Sequence, residues 1–184
     1  MRCFIALDLN PPPGAALSGW MDELRAFPEL SVPPPGNIHL TLAFLGELDD
    51  AAVGRALTAM VAAAPRAGGR WAMRWGAVGA FPSLRRPRVL WLGVADEAHA
   101  TAAARGLNDE LAAAGLAVDQ RPFRPHLTVA RVRKAMSRDV QRKVLAVLQT
   151  VPAPAPSTVT QFVLYRSALG PGHSVYQRLG EARL

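Results

Sequence analysis

Two short segments carry residue types that can do chemistry together: Ile38-His39-Leu40-Thr41-Leu42 and Pro125-His126-Leu127-Thr128-Val129. In a strand, successive side chains alternate faces. His and Thr of each copy therefore point one way, into a cleft, while the apolar residues enter a core. Histidine titrates near neutral pH, so one imidazole can serve as general base while the other serves as general acid. Threonine hydroxyls can donate to the non-bridging oxygens of a phosphate held between them. Nearby arginines would stabilise charge on a transferring phosphoryl group. Base and acid on opposite sides of a phosphate suit in-line displacement. A cyclic phosphodiester fits well, because its leaving oxygen stays tethered and needs a proton. Two histidines without a third close ligand make a poor metal site, so neither a metal nor another cofactor is expected. A single His-x-Thr in a strand is usually structural; the force of the argument lies in two copies in the same phase of a repeat.

The elements that would position these pairs follow from the apolar spacing. Phe4 to Leu9 reads as a strand, and Pro12 to about Ala26 as an amphipathic helix bearing Leu17, Trp20, Met21 and Leu24. A Pro-rich loop leads into the first His-Thr strand, Ile38 to Leu45. Asp49 or Asp50 can cap the next helix, which carries Val53, Leu57, Met60 and Val61. Trp71 to Phe81 alternates as a strand, and Val89 to Val94 reads as a buried one. Asp96 to Ala114 is an Ala-rich helix stopped by Gly115. Leu116 to Gln120 is expected as a short strand. The second His-Thr strand runs from His126 to Val132, and Ser137 caps a helix bearing Val140, Val144, Leu145 and Leu148. Two strands, Thr158 to Ser167 and Ser174 to Leu179, flank a Gly170-Pro171-Gly172-His173 turn.

This order hides a repeat. His126 follows His39 by 126 − 39 = 87 residues, and the flanking elements start at about the same offset. The fold class expected is α+β: two antiparallel sheets with outer helices, in quasi-twofold relation, flanking a central cleft. A single bilobal domain over 1–184 follows, with repeats of about 1–87 and 88–184. Of the remaining histidines, His99 is expected on the surface of its helix, and His173 in a turn from which it could reach the site.

Composition narrows the partners. The 184 residues are 50% hydrophobic, with a net charge of +7 and a pI near 10.9. Such a charge favours polyanions, nucleic acid above all. Lys134 and Lys143 are the only lysines, and arginine's planar fork suits phosphate. Ala, Gly, Pro and Arg also share GC-rich codons, so genomic bias is a second reading of the arginine excess. Cys3 stands alone, which excludes an intrachain disulfide and a thiolate metal cluster. No apolar stretch reaches membrane-span length, and Asp8 interrupts the N-terminal run too soon for a signal peptide. A cytoplasmic protein is the default expectation.

These residues resemble the 2H phosphoesterases, named for two His-x-Thr/Ser-x motifs. Within them they are similar to the bacterial and archaeal RNA 2′,3′-cyclic phosphodiesterase branch, historically called 2′-5′ RNA ligases. The resemblance rests on Met1 to Leu7, Asn37 to Gly46, Gly79 to Pro82, Pro87 to Val94 and Arg121 to Arg131. It implies metal-independent hydrolysis of a terminal 2′,3′-cyclic phosphate to a 2′-phosphate, with an ATP-independent reverse ligation. His39 would protonate the leaving O3′ and His126 would activate water. Thr41 and Thr128 would bind the phosphate, with Arg131 and Arg124 as further phosphate ligands. Strict alternation puts Arg131 on the face opposite His126, so it needs a bulge or twist to reach the cleft. Phe44 and Phe123 could stack a terminal base, although core packing is the ordinary reading of each. The partner implied is an RNA end, tRNA fragments among the candidates, or a cyclic nucleotide; a monomer is expected. The sequence leaves open a non-catalytic RNA-end binder and a phosphodiesterase of small cyclic phosphates. An ATP-dependent ligase is disfavoured, because neither lysine stands in a Lys-x-Asp-Gly setting and no P-loop is present.

Overall fold

A computed structural model describes residues 1–119 and 121–184. Thirteen elements follow in order: β1 (Arg2–Asn10), α1 (Pro13–Arg25), β2 (Leu30–Ser31), β3 (Leu40–Glu47), α2 (Asp50–Ala63), β4 (Trp71–Met73), β5 (Trp75–Phe81), β6 (Val89–Val94), α3 (Glu97–Ala113), β7 (His126–Val132), α4 (Arg138–Gln149), β8 (Ser157–Leu169) and β9 (Ser174–Arg183). The helix signals act as the sequence implies. Asp49 accepts from Ala52 N–H, Asp96 from Ala98 N–H and Ser137 from Val140 N–H. Gly115, with φ +72°, takes the left-handed position after α3 that a side chain would resist. The expected strand after it does not form: residues 116–119 lie outside any strand, and residue 120 lies outside the described residues.

Every strand pair is antiparallel. The order is β4-β8-β1-β3-β7-β6-β5, with β9 beside β8 and β2 beside β7. The two expected sheets are thus two halves of one. They meet at a single ladder pair, Leu40 opposite Leu127, at the heart of the two His-Thr segments. Leu40 and Leu127 are fully buried, as are Ile5, Leu90 and Leu92 on the same apolar face. Helices cover that face in two pairs, α2 against α3 and α1 against α4, the latter tied by Trp20 Nε1–H donating to the Val147 carbonyl.

The one strand read over Trp71 to Phe81 is two. Arg74 divides it, so that β4 pairs with β8 while β5 pairs with β6. The chain crosses there from one half-sheet to the other. It crosses back at its end, where β8 pairs with β1. Each half-sheet therefore takes in a strand from the other half of the sequence, β8 beside β1 and β5 beside β6. Alternation of Trp71, Met73, Trp75 and Ala77 runs straight through the crossing, which is why the spacing alone conceals it.

The approach to the first motif is fixed by close packing at Gly14, in the first turn of α1. A Cβ there would overlap the Pro35 carbonyl in the short turn Pro35–Asn37 that leads to His39. Gly19, exposed in the same helix, has open space around it. Gly14→Ala is expected to cost ~1–3 kcal/mol, whereas Gly19→Ala should gain ~0.5–1 kcal/mol through helix propensity. Urea unfolding of the two variants checks the opposite signs.

Candidate active site

Each histidine is held by the backbone just before it. His39 Nδ1 lies 2.7 Å from the Asn37 carbonyl oxygen, and His126 Nδ1 lies 2.6 Å from that of Arg124. A carbonyl only accepts, so each neutral ring carries its proton on Nδ1 and presents the Nε2 lone pair elsewhere. Asn37 and Arg124 stand at the repeat offset of 87, so one local device occurs twice. The prolines of each approach fix the backbone that offers these carbonyls.

A second device is also duplicated. On β3, Ala6 lies opposite Thr41 and Ile5 opposite Ala43, which leaves Leu42 unpaired. On β7, Trp91 lies opposite Thr128 and Leu90 opposite Ala130, which leaves Val129 unpaired. Each bulge buries two consecutive residues, Leu42-Ala43 and Val129-Ala130, and so returns the next side chain to the face of His and Thr. The residues returned are Phe44 and Arg131. This is the bulge that Arg131 requires, and Arg131 lines the cleft. The core reading of Phe44 is corrected: the bulge turns it outward, 52% exposed, on the cleft wall.

The cleft encloses about 1170 Å³, and His39, Thr41, His126 and Thr128 all line it. Arg124 and Phe123 line it too, Phe123 being also half-buried against the core. His173 reaches the cleft wall from its turn. His99 does not: it is exposed elsewhere, stacked on Trp71 at 4.7 Å.

Sequence reading missed the aromatic frame of each imidazole. Phe4 stacks on His39 at 4.8 Å and 28°, and Tyr176 meets the same ring edge-on at 5.1 Å. Phe81 meets His126 edge-on at 5.0 Å, with Trp91 at 6.4 Å. Phe4 and Trp91 occupy matching positions at the 87-residue offset, a signal the repeat already contained. Tyr176 had none, because it arrives on β9 from far along the chain. The hairpin that brings it is pinned by Asn37 Nδ2–H donating to the Ser174 carbonyl at 2.7 Å.

Burial is the first cause that pushes both histidines below their ordinary 6.5, partly opposed by the carbonyl each bonds. The Arg131 charge lowers both further, and His126 lowers His39. These surroundings favour two neutral imidazoles beside a cation. An anion bound between them would reverse that balance. Among the described residues, no group of three or more His, Cys, Asp or Glu stands close enough to hold a metal ion. No described helix is long and apolar enough to cross a membrane.

Comparison with known proteins places this geometry. Residues 11–171 match the family model of the 2′-5′ RNA ligase superfamily. The chain belongs to that superfamily. One relative, the RNA 2′,3′-cyclic phosphodiesterase of Archaeoglobus fulgidus, is 30% identical over 97% of this chain and 98% of its own. Another of the same name, from Thermus thermophilus, is 34% identical over 96% and 86%. The superfamily fold is shared with the crystal structure of the Thermus thermophilus protein TT0787, at a TM-score of 0.80 and 29% identity, covering 100% of this chain and 98% of that one. Escherichia coli LigT complexed with 3′-AMP superposes at 0.73 and 28% identity, covering 100% and 97%.

The depressed histidines give a direct expectation. In the free protein both imidazoles should titrate with midpoints below 6.5, and inorganic phosphate should raise both; NMR of the ring protons against pH measures this. Because the unfolded chain binds these protons at higher pH, stability is full above about 6.5 and falls as pH drops through the folded midpoints.

Proposed function

We propose that this protein hydrolyses the 2′,3′-cyclic phosphate at an RNA end to a 2′-phosphate, with His39 and His126 as the acid–base pair. The observation that carries the reading is the duplicated His-Thr device: two imidazoles of fixed tautomer, with Thr41 and Thr128, on one cleft. The shared name of the full-length relatives supports the substrate class.

In this reading the phosphate sits between the threonines, which donate to its non-bridging oxygens. His126 Nε2 takes a proton from water as its oxygen bonds to phosphorus. The P–O3′ bond breaks, and His39, protonated at Nε2, gives O3′ its proton. The phosphate anion raises the imidazoles from their depressed state, so charging one of them is coupled to substrate binding. Arg131 and Arg124 stabilise the charge on the equatorial oxygens. Phe44 offers an exposed ring to the terminal base, and stacking of this kind is worth ~1–3 kcal/mol. Phe123, half in the core, shapes the opposite wall. In this reading proton transfer and charge stabilisation are carried by side chains. The same displacement with a 5′-hydroxyl in place of water, its proton passing to His126 and O3′ leaving, would give a 2′-5′ linkage without ATP.

The chain is read here as one bilobal domain with an internal repeat, about 1–87 and 88–184, supported by the matched offsets of His39/His126, Asn37/Arg124 and the two bulges. One chain supplies both motifs, which supports a monomer as the working unit.

His39→Ala and His126→Ala should each lower turnover of a 2′,3′-cyclic mononucleotide by ~10²–10⁴-fold, with the far-UV spectrum unchanged and excess EDTA without effect on the parent protein. A substrate with sulfur at the 3′ position separates the roles, since a thiolate leaves without a proton. It should restore turnover in His39→Ala and not in His126→Ala. A 3′-phosphate product, or full activity in either variant, would overturn the assignment.

A further inference from the structure

The two motif strands run on into segments of opposite charge. Beyond Phe44 the first repeat continues Gly46-Glu47-Leu48-Asp49-Asp50. At the matching positions beyond Arg131 the second continues Arg133-Lys134-Ala135-Met136-Ser137. The backbone groups further cations at that second end. Val132 N–H donates to the Arg88 carbonyl at 2.9 Å, which sets Arg88 alongside β7 between Arg131 and Arg133. Gln141 Nε2–H donates to the carbonyls of Leu84 and Arg85, at 2.6 and 3.2 Å. That pair of bonds docks the β5–β6 loop against α4, whose first residue is Arg138. Six cations, Arg85, Arg86, Arg88, Arg133, Lys134 and Arg138, thus gather on the segments around the end of β7, beyond Arg131.

All six are exposed, and none makes an ion pair with a described residue. Arg133 bonds only a neutral group, its Nε–H donating to the Pro28 carbonyl at 2.9 Å. Of the nearby acids, Asp139 pairs with Arg142 and Lys143, and Glu29, whose backbone carbonyl accepts Arg133 and Lys134 N–H, makes no ion pair with a described residue. The matching acidic end is part-neutralised from within, as Glu47 pairs with the N-terminal ammonium at 3.2 Å and Asp49 caps α2. Uncompensated cations held side by side repel one another unless an anion joins them. A run of them leading out of a phosphate-binding cleft has the chemistry of a backbone track.

We propose that single-stranded RNA leaves the cleft over this second end, its upstream phosphates lying along Arg85–Arg88 and Arg133–Arg138. This rests on the reading of the cleft as the site of an RNA end, and makes the protein a binder of chains rather than of single nucleotides.

The test uses the triple variant R85Q/R86Q/R88Q, none of whose side chains contributes to the cleft. A 5′-labelled hexanucleotide ending in a 2′-phosphate is titrated by fluorescence anisotropy over a range of salt, and turnover of a 2′,3′-cyclic mononucleotide is measured beside it. The variant should bind the hexanucleotide ~10-fold more weakly near physiological salt, and the slope of log affinity against log salt should shrink by ~2. Its mononucleotide turnover should equal the parent's. Unchanged hexanucleotide affinity and slope would overturn the track. An equal loss on mononucleotide would also overturn it, because the arginines would then be supporting the cleft itself. Binding is read without turnover, so absence of hydrolysis in the parent would sink the proposed reaction while the titration still decides the track.

Discussion

The site depends on a hydrogen bond two residues long. Each cleft-facing histidine gives its Nδ1 proton to the carbonyl of the residue two before it, 2.7 Å away for His39 and 2.6 Å for His126. That bond chooses the tautomer, orients the ring, and leaves one lone pair available. It also limits what the rest of the protein can be. The carbonyl must be held still, so a proline-rich segment precedes each histidine. The ring must be buried enough to stay neutral and open enough to touch a substrate. Phe4 and Tyr176 meet that demand on one side, and Phe81 with Trp91 on the other.

The second dependence is on two unpaired residues. Without Leu42 and Val129 as bulges, Phe44 and Arg131 would face the helices, and a guanidinium would lie in an apolar core. Because the bulges sit at the same place in each repeat, the backbone of the cleft is close to symmetric while its side chains are not. An aromatic ring on one wall opposes a cation on the other. Any difference in behaviour between the two similar histidines has to arise from differences of this kind.

Much of this is legible in the sequence. His39, Thr41, His126 and Thr128 declare themselves by type, spacing and phase, and the capping residues mark three helices. The need for a bulge before Arg131 is visible, because alternation and the expected role of that residue conflict. Phe44 reads as core for the opposite reason: nothing conflicts, since an aromatic residue in an apolar run is ordinarily buried. The split at Arg74 is invisible, since a strand that changes partners keeps its alternation. Tyr176 is out of reach as well, because pairing between β8 and β1 is a long-range choice that local spacing does not record.

The exchange of strands between the two half-sheets has a meaning beyond packing. It is the connectivity that two identical chains would show if each lent its last strand to the other and the pair were then joined end to end. In such a pair the cleft would lie on the twofold axis, with two equal histidines and no direction. Fusion into one chain ends that equality. Each copy of the motif can then vary alone, and a symmetric pocket can become one whose two sides differ.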